Sequence, residues 1–171
     1  MIISFKNDYS EGCHSRVLEA LVRTNMVQQD GYGIDVYSQR AAELIQEKAK
    51  APTSKVHFVS GGTQANMLVI AACLKPHESV IAATTGHIYT DETGAIEATG
   101  HKINAIEASS GKLTPAHIQQ VLGGHMNKPH VLKQRMVYIS NATEMGTIYS
   151  KQELTDLDNF CKENDLYLFM D

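Results

Sequence analysis

The chain has 171 residues, 43% hydrophobic and 20% charged, the balance of an ordinary globular protein long enough to bury one real core. Its formal net charge of -4 leaves no broad basic field, which excludes nucleic acid or an anionic membrane surface as the main partner. No apolar run reaches bilayer length and the opening MIISFKND meets charge too early for a secretory signal, so the expected compartment is the cytoplasm.

Residues 1–5 form a short apolar start, followed by the polar turn cluster NDYSEG. Residues 15–27 carry Val17, Leu18, Leu21 and Val22 at helical spacing, a helix expected to pack on something larger. The loop QDGYGID leads into a second helix over 36–50, with Tyr37, Ala41, Leu44, Ile45 and Lys48 on one face and Ala51 and Pro52 ending it. These first 50 residues read as a helical segment with loops, and residues 51–171 as the first part of a larger α/β domain.

The run KVHFVSGGTQANMLVIAACLKP is the most informative stretch. Residues 56–59 read as a buried strand, 60–63 as a small-residue turn and 64–74 as a helix stopped by Lys75 and Pro76. Further on, 79–83, 102–107, 135–140 and 166–170 read as strands, and 114–122 as a helix ended by Gly123 and Gly124. Residues 125–134 read as a surface loop. Ser150 caps a helix with Leu154, Leu157, Phe160 and Cys161 on one face, and Glu153 completes a capping box. Strands alternating with helices, the strands almost continuously apolar, predict an α/β fold: a mostly parallel sheet with helices on both faces.

Ligands of such sheets sit beyond the carboxyl ends of the strands, where Thr63, His87, Asn141 and Asp171 fall. Gly61 and Gly62 let backbone approach a ligand, and the unpaired N–H groups opening the next helix attract an anion such as a phosphate, with the Thr63 hydroxyl as a further donor. The same residues equally serve as a plain turn and helix cap. There is no G-x-x-x-x-G-K-[ST] and no G-x-G-x-x-G, which disfavours a nucleoside triphosphate or a dinucleotide. Asp171, directly after the buried strand LYLFM, suits a cationic ring nitrogen, a metal or a ribose hydroxyl, and suits a helix cap as well. His87 can stack on an aromatic ring, act as a base, bind a metal or simply lie on the surface. The eight histidines show no H-E-x-x-H or other close pairing, so no metal site is expected. Cys13, Cys73 and Cys161 lack a C-x-x-C and read as reduced thiols, the last two as packing residues on helix faces. Ser10, Cys13 and His14 are neighbours, but no G-x-S-x-G elbow supports a nucleophilic triad.

Taken together, SGGTQAN, GHIYTDETGA, ISNATEMGTIYSKQEL and LYLFMD resemble, in order, the amino-terminal half of the low-specificity threonine aldolase and aromatic β-eliminating lyase family. Those are pyridoxal-phosphate enzymes of the aspartate-aminotransferase fold, and the likeness covers nearly the whole chain. It implies that Gly62, Thr63 and Gln64 hold the cofactor phosphate, that His87 stacks on the pyridine ring, and that Asp171 pairs with the protonated ring nitrogen. It implies an acidic role for Glu92 near the reacting carbon and a polar role for Asn141 near the ring. Asn7 falls in a substrate-binding segment, with Tyr32 and Asp35 in a loop that reaches the active site of the same or a neighbouring subunit. A homodimer or homotetramer is the expected assembly.

Asn7 stands where many members carry a serine, which leaves substrate preference open, and Gly61 replaces a common serine. Within the family a Gly-Ala-Arg segment follows the aspartate strand, and the cofactor-linking lysine comes later; neither occurs in these residues. The expectation is therefore a fragment, inactive alone, of a lyase that cleaves threonine or related β-hydroxy amino acids to glycine and an aldehyde. Rival readings are a related cofactor enzyme performing β-elimination or transamination, and a non-catalytic assembly module.

Overall fold

The computed structural model describes Ser4, Asn7, residues 10–124 and residues 130–171, in two compact units, Met1–Phe58 and Val59–Asp171. Of the expected apolar start only Ser4 is described, residues 8 and 9 of the turn cluster fall outside the described residues, and so do 125–129 of the expected surface loop.

The first unit holds α1 (Ser15–Thr24) and α2 (Val36–Ala49). The Asp35 side chain caps α2 by accepting from the amides of Tyr37 and Ser38, and Lys50, in the left-handed region, closes its other end onto the Gln46 and Glu47 carbonyls. Helix α1 stops at Thr24, three residues short of its expected end, and buries none of its residues. Residues 56–59, expected as a strand, join no ladder in the structure. An apolar run records a preference for burial, whereas a strand exists only where its N–H and C=O groups meet those of a neighbour.

In the second unit α3 (Gly62–Cys73), β1 (Glu78–Ala83), α4 (His87–Thr90), β2 (Ile103–Ile106), α5 (Pro115–Gly123), β3 (Lys133–Ile139), α6 (Lys151–Glu163) and β4 (Tyr167–Met170) follow in order, with one turn of 3-10 helix at Glu97–Thr99. The four strands form a parallel sheet in the order β2-β1-β3-β4. Lys133 and Gln134, expected in a loop, pair with Glu78 and Ser79 as the first residues of β3. Their polarity hid them: both stand ahead of the strand's apolar run, Lys133 exposed and Gln134 buried.

Side chains of a strand alternate between its faces, and both faces are covered. Val80, Ala82, Met136 and Tyr138 pack with Ile70 and Leu74 of the α3 region and with Ile88 and Ile96. Ile81, Ala83, Val137 and Ile139 pack on the opposite side with Ile118 of α5 and Leu157 and Cys161 of α6. The buried stripe of α3 runs through Asn66, Ile70 and Leu74, one turn apart, which leaves Cys73 off the stripe and exposed rather than packed.

Leu157 is 1% exposed in this second core, so Leu157→Ala should destabilise the unit by about 2–5 kcal/mol in urea unfolding. Glu153 completes the capping box with Ser150 and pairs with Lys112, and the Lys112 ammonium, followed by the Ser150 hydrogen bonds, holds its carboxyl down at about 2. A carboxylate lowered in the folded state stabilises it above the unfolded value of about 4.3, and the contribution disappears as pH falls through the folded value. Lys112→Met should raise the Glu153 titration midpoint toward the ordinary range in a carboxyl 13C NMR titration. Its urea midpoint should differ from that of the unaltered chain at pH 7, with the difference shrinking between about pH 4 and pH 2.

Candidate active site

Helix α3 opens at Gly62, two residues earlier than expected, so Gly62, Thr63 and Gln64 form its first turn. Gly61 precedes it in extended backbone without a side-chain cap, and the first intrahelical bond runs from the Ala65 amide to the Gly61 carbonyl. The amides of Gly62, Thr63 and Gln64, and the Thr63 hydroxyl, therefore have no partner among the described residues. A Cβ added at Gly61 or Gly62 would meet nothing within 4 Å, and residues 60–64 are all exposed, which leaves room for an anion at the start of the helix. The Gln64 side chain is turned the other way: its Oε1 accepts from the Ser60 amide at 2.8 Å and hydroxyl at 2.7 Å, which braces the turn and leaves the backbone N–H as its donor to a ligand.

One turn further into α3, Asn66 is buried and donates from Nδ2 to Glu92 Oε1 at 2.8 Å and to Asp171 Oδ2 at 3.2 Å. Three residues of helix rise separate Thr63 from Asn66, about 4.5 Å along the axis. The open amides of the first turn thus sit one helical turn before the side chain that bonds Asp171. Asp171 also accepts from the Tyr138 hydroxyl at 2.6 Å, and its backbone continues the β3–β4 ladder through Ile139 and Asn141. Burial, and then the neighbouring Asp171 carboxylate, push the Tyr138 phenol well above its ordinary range, so it stays a donor.

The loop after β1 carries His87 to the same edge. Gly86 turns its amide back to the Ala83 carbonyl at 2.9 Å, and a Cβ there would come within 3.1 Å of that same oxygen. His87, its ring half exposed, sets Nδ1 3.3 Å from Oε1 of the fully buried Glu92 side chain. Glu144, from the loop after β3, accepts from the His87 amide at 2.7 Å and the Ser140 hydroxyl at 2.6 Å, and Ser140 reaches the Tyr138 oxygen at 3.3 Å.

The structure therefore joins His87, Glu92 and Asp171 at one edge through four residues that the sequence reading passed over, Asn66, Tyr138, Ser140 and Glu144, with Thr63 one helical turn before Asn66. Asn141 uses its side-chain oxygen to accept from the Tyr149 amide at 3.2 Å, bracing the loop beside Asp171. Asn7, Tyr32 and Asp35 belong to the first unit. There the Ser10 hydroxyl donates to Asn7 Oδ1, Tyr32 is fully exposed in the left-handed region, and Asp35 is held by the α2 cap, whose hydrogen bonds, led by the Ser38 hydroxyl, lower its pKa. One signal for Asn66 was present in the sequence: it shares the buried i, i+4, i+8 stripe with Ile70 and Leu74, a polar residue in an apolar line.

A family profile described as beta-eliminating lyase matches residues 8–171. The low specificity L-threonine aldolase of Pseudomonas aeruginosa is 34% identical over 169 residues, 98% of this chain and 48% of the relative, and that of a Pseudomonas strain is 35% identical over the same span. The chain spans about half the length of these curated relatives. Among solved structures, a threonine aldolase of Leishmania major superposes with a TM-score of 0.93 at 49% identity, covering 96% of this chain and 48% of that one. An aspartate aminotransferase from Thermotoga maritima, at 21% identity and a TM-score of 0.71, shares the fold.

The Glu144 contact predicts a local effect. Glu144→Ala should release the His87 amide and speed its hydrogen exchange by about tenfold, while Glu144→Gln, which keeps an acceptor oxygen, should change it much less.

Proposed function

The chain belongs to the beta-eliminating lyase family, and on that premise we propose that it supplies the phosphate- and ring-binding part of a pyridoxal-phosphate enzyme cleaving the Cα–Cβ bond of L-threonine or related β-hydroxy amino acids, yielding glycine and an aldehyde. The reading rests above all on the Asn66 hydrogen bond to Asp171, which sets a carboxylate within one small molecule's length of the open helix N-terminus. A phosphate at one end and a protonated ring nitrogen at the other match that distribution of donors and charge. When bound, pyridoxal phosphate supplies an electron sink for the pair released as the Cα–Cβ bond breaks.

The chain's own residues take the following parts. The Gly62, Thr63 and Gln64 amides and the Thr63 hydroxyl grip the phosphate oxygens. Asp171, kept in place by Tyr138 and Asn66, stands against the ring nitrogen as a fixed negative charge. His87 presents its half-exposed ring to the ligand and shares a proton at Nδ1 with Glu92, a pair suited to moving a proton from the substrate hydroxyl. Asn141 supports the ring edge, and Asn7, Tyr32 and Asp35 contribute to the substrate side. A homodimer or homotetramer completes the proposal, and Leu18, Leu21 and Val22 on α1, each more than half exposed, form the kind of apolar face such an assembly covers.

In the protein that carries this chain, L-threonine with pyridoxal phosphate should release acetaldehyde, read by coupled NADH oxidation. Asp171→Asn should lower kcat by about a hundredfold or more, the order expected when a preorganised charge is lost. Thr63→Ala, removing one phosphate donor, should weaken cofactor binding by about fivefold to tenfold. Cofactor binding without aldehyde from any β-hydroxy amino acid would turn the assignment toward another reaction of the family.

A further inference from the structure

A neutral imidazole carries its hydrogen on one of two nitrogens, and which one is set by the hydrogen bond that the ring makes. The surroundings of His87 decide between them.

Its Nδ1 lies 3.3 Å from Oε1 of Glu92, whose side chain is fully buried. The same Oε1 accepts from Asn66 Nδ2 at 2.8 Å. A second acceptor, Asp171 Oδ2 at 3.2 Å, fixes the orientation of that amide, since the reversed amide would aim its oxygen at both. Glu92 Oε1 is therefore an acceptor on its Asn66 side, and an ionised carboxylate only accepts. The hydrogen in the contact with His87 belongs to Nδ1. Asn66 and Glu92 are 1% and 4% exposed, so packing and the amide hydrogen bond together keep this oxygen where it is.

The other nitrogen stands differently. No hydrogen bond engages Nε2 among the described residues, and the His87 side chain is half exposed. Glu144 binds the backbone amide of His87 and does not touch the ring.

We propose that Glu92 holds neutral His87 as the Nδ1–H tautomer, which makes Nε2 the nitrogen with the free lone pair and the atom that takes a proton from a hydroxyl bound at this edge. Glu92, and Asn66 behind it, are positioning residues. In the transfer the O–H bond breaks, its electron pair stays on oxygen, an N–H bond forms at Nε2, and the imidazolium keeps its Nδ1–H on Glu92. The bound hydroxyl rests on the function proposed above; the tautomer belongs to the chain itself.

A long-range 1H–15N spectrum of the cofactor-free protein, 15N-labelled at histidine, reads the tautomer directly. On the basic side of the His87 titration, where its signals stop moving with pH, Nδ1 should appear as the hydrogen-bearing nitrogen and Nε2 as the bare one. The Nδ1–H form should exceed the other by about tenfold or more, the order set by one hydrogen bond to a charged group. A ring with its hydrogen mainly on Nε2 would overturn the proposal without any variant. Glu92→Ala should lose the preference, and a folded Glu92→Ala protein that keeps it would also overturn the proposal; if that variant does not fold, the spectrum of the unaltered protein still decides. In the cofactor-loaded protein, His87→Asn, whose amide can replace Nδ1 but offers nothing at Nε2, should lower kcat with L-threonine by about a hundredfold or more. Unchanged turnover would overturn Nε2 as the base. An unaltered protein that binds pyridoxal phosphate yet releases no aldehyde counts against the proposed function instead, and the tautomer stands or falls on its own spectrum.

Discussion

Parallel pairing of the strands is the constraint from which the site follows. Because β2, β1, β3 and β4 all run the same way, their carboxyl ends share one edge, and the loops after β1 and β3 and the end of β4 meet there. The ladder continues past the strands proper: the Asp171 amide bonds to the Ile139 carbonyl and the Asn141 amide to the Asp171 carbonyl. Backbone hydrogen bonds thus fix where the aspartate emerges, before its side chain makes any contact.

Apolar burial then places the helix that faces it. Ile70 and Leu74 lie against Val80, Ala82, Met136 and Tyr138, and the Ile, Leu, Val and Met side chains among them contribute about 1.5–3 kcal/mol each when fully buried. That packing leaves little freedom for the helix to rotate. Asn66, one turn before Ile70 on the same stripe, is carried to the carboxylates, and the unpaired amides of Gly62 to Gln64 are left at the rim. Hydrophobic packing well inside the domain therefore aims the polar end outward.

The result is a dipolar edge. Unpaired N–H groups open the positive end of α3 one turn before Asn66, whose side chain bonds the acids Glu92 and Asp171, and His87 faces Glu92. Glu144 ties the His87 turn to Ser140, so the loops after β1 and β3 are coupled by one carboxylate oxygen rather than left to move separately. An arrangement of this kind favours one orientation of any ligand that is anionic at one end and cationic at the other.

Much of this was legible in the residues. The apolar runs at 79–83 and 166–170, the capping box at Ser150 and Glu153, and the glycine turn before the 64–74 helix mark elements whose periodicity and local hydrogen bonding need no distant partner to be recognised. Thr63, His87 and Asp171 stood out as polar residues in or beside the loops at strand ends, each with a plain structural alternative, and Glu92 only through the family resemblance. Other features depend on groups far apart in the chain. Residues 56–59 read as a strand on composition alone, yet a ladder requires a neighbour that composition does not name. The roles of Asn66, Tyr138, Ser140 and Glu144 arise from contacts across as many as 105 sequence positions, which only the folded sheet brings within hydrogen-bond range. Local pattern determined which segments are helix or strand and which residues could meet a ligand; tertiary packing decided which side chains hold them there, because a hydrogen bond acts over about 3 Å of space and takes no account of distance along the chain.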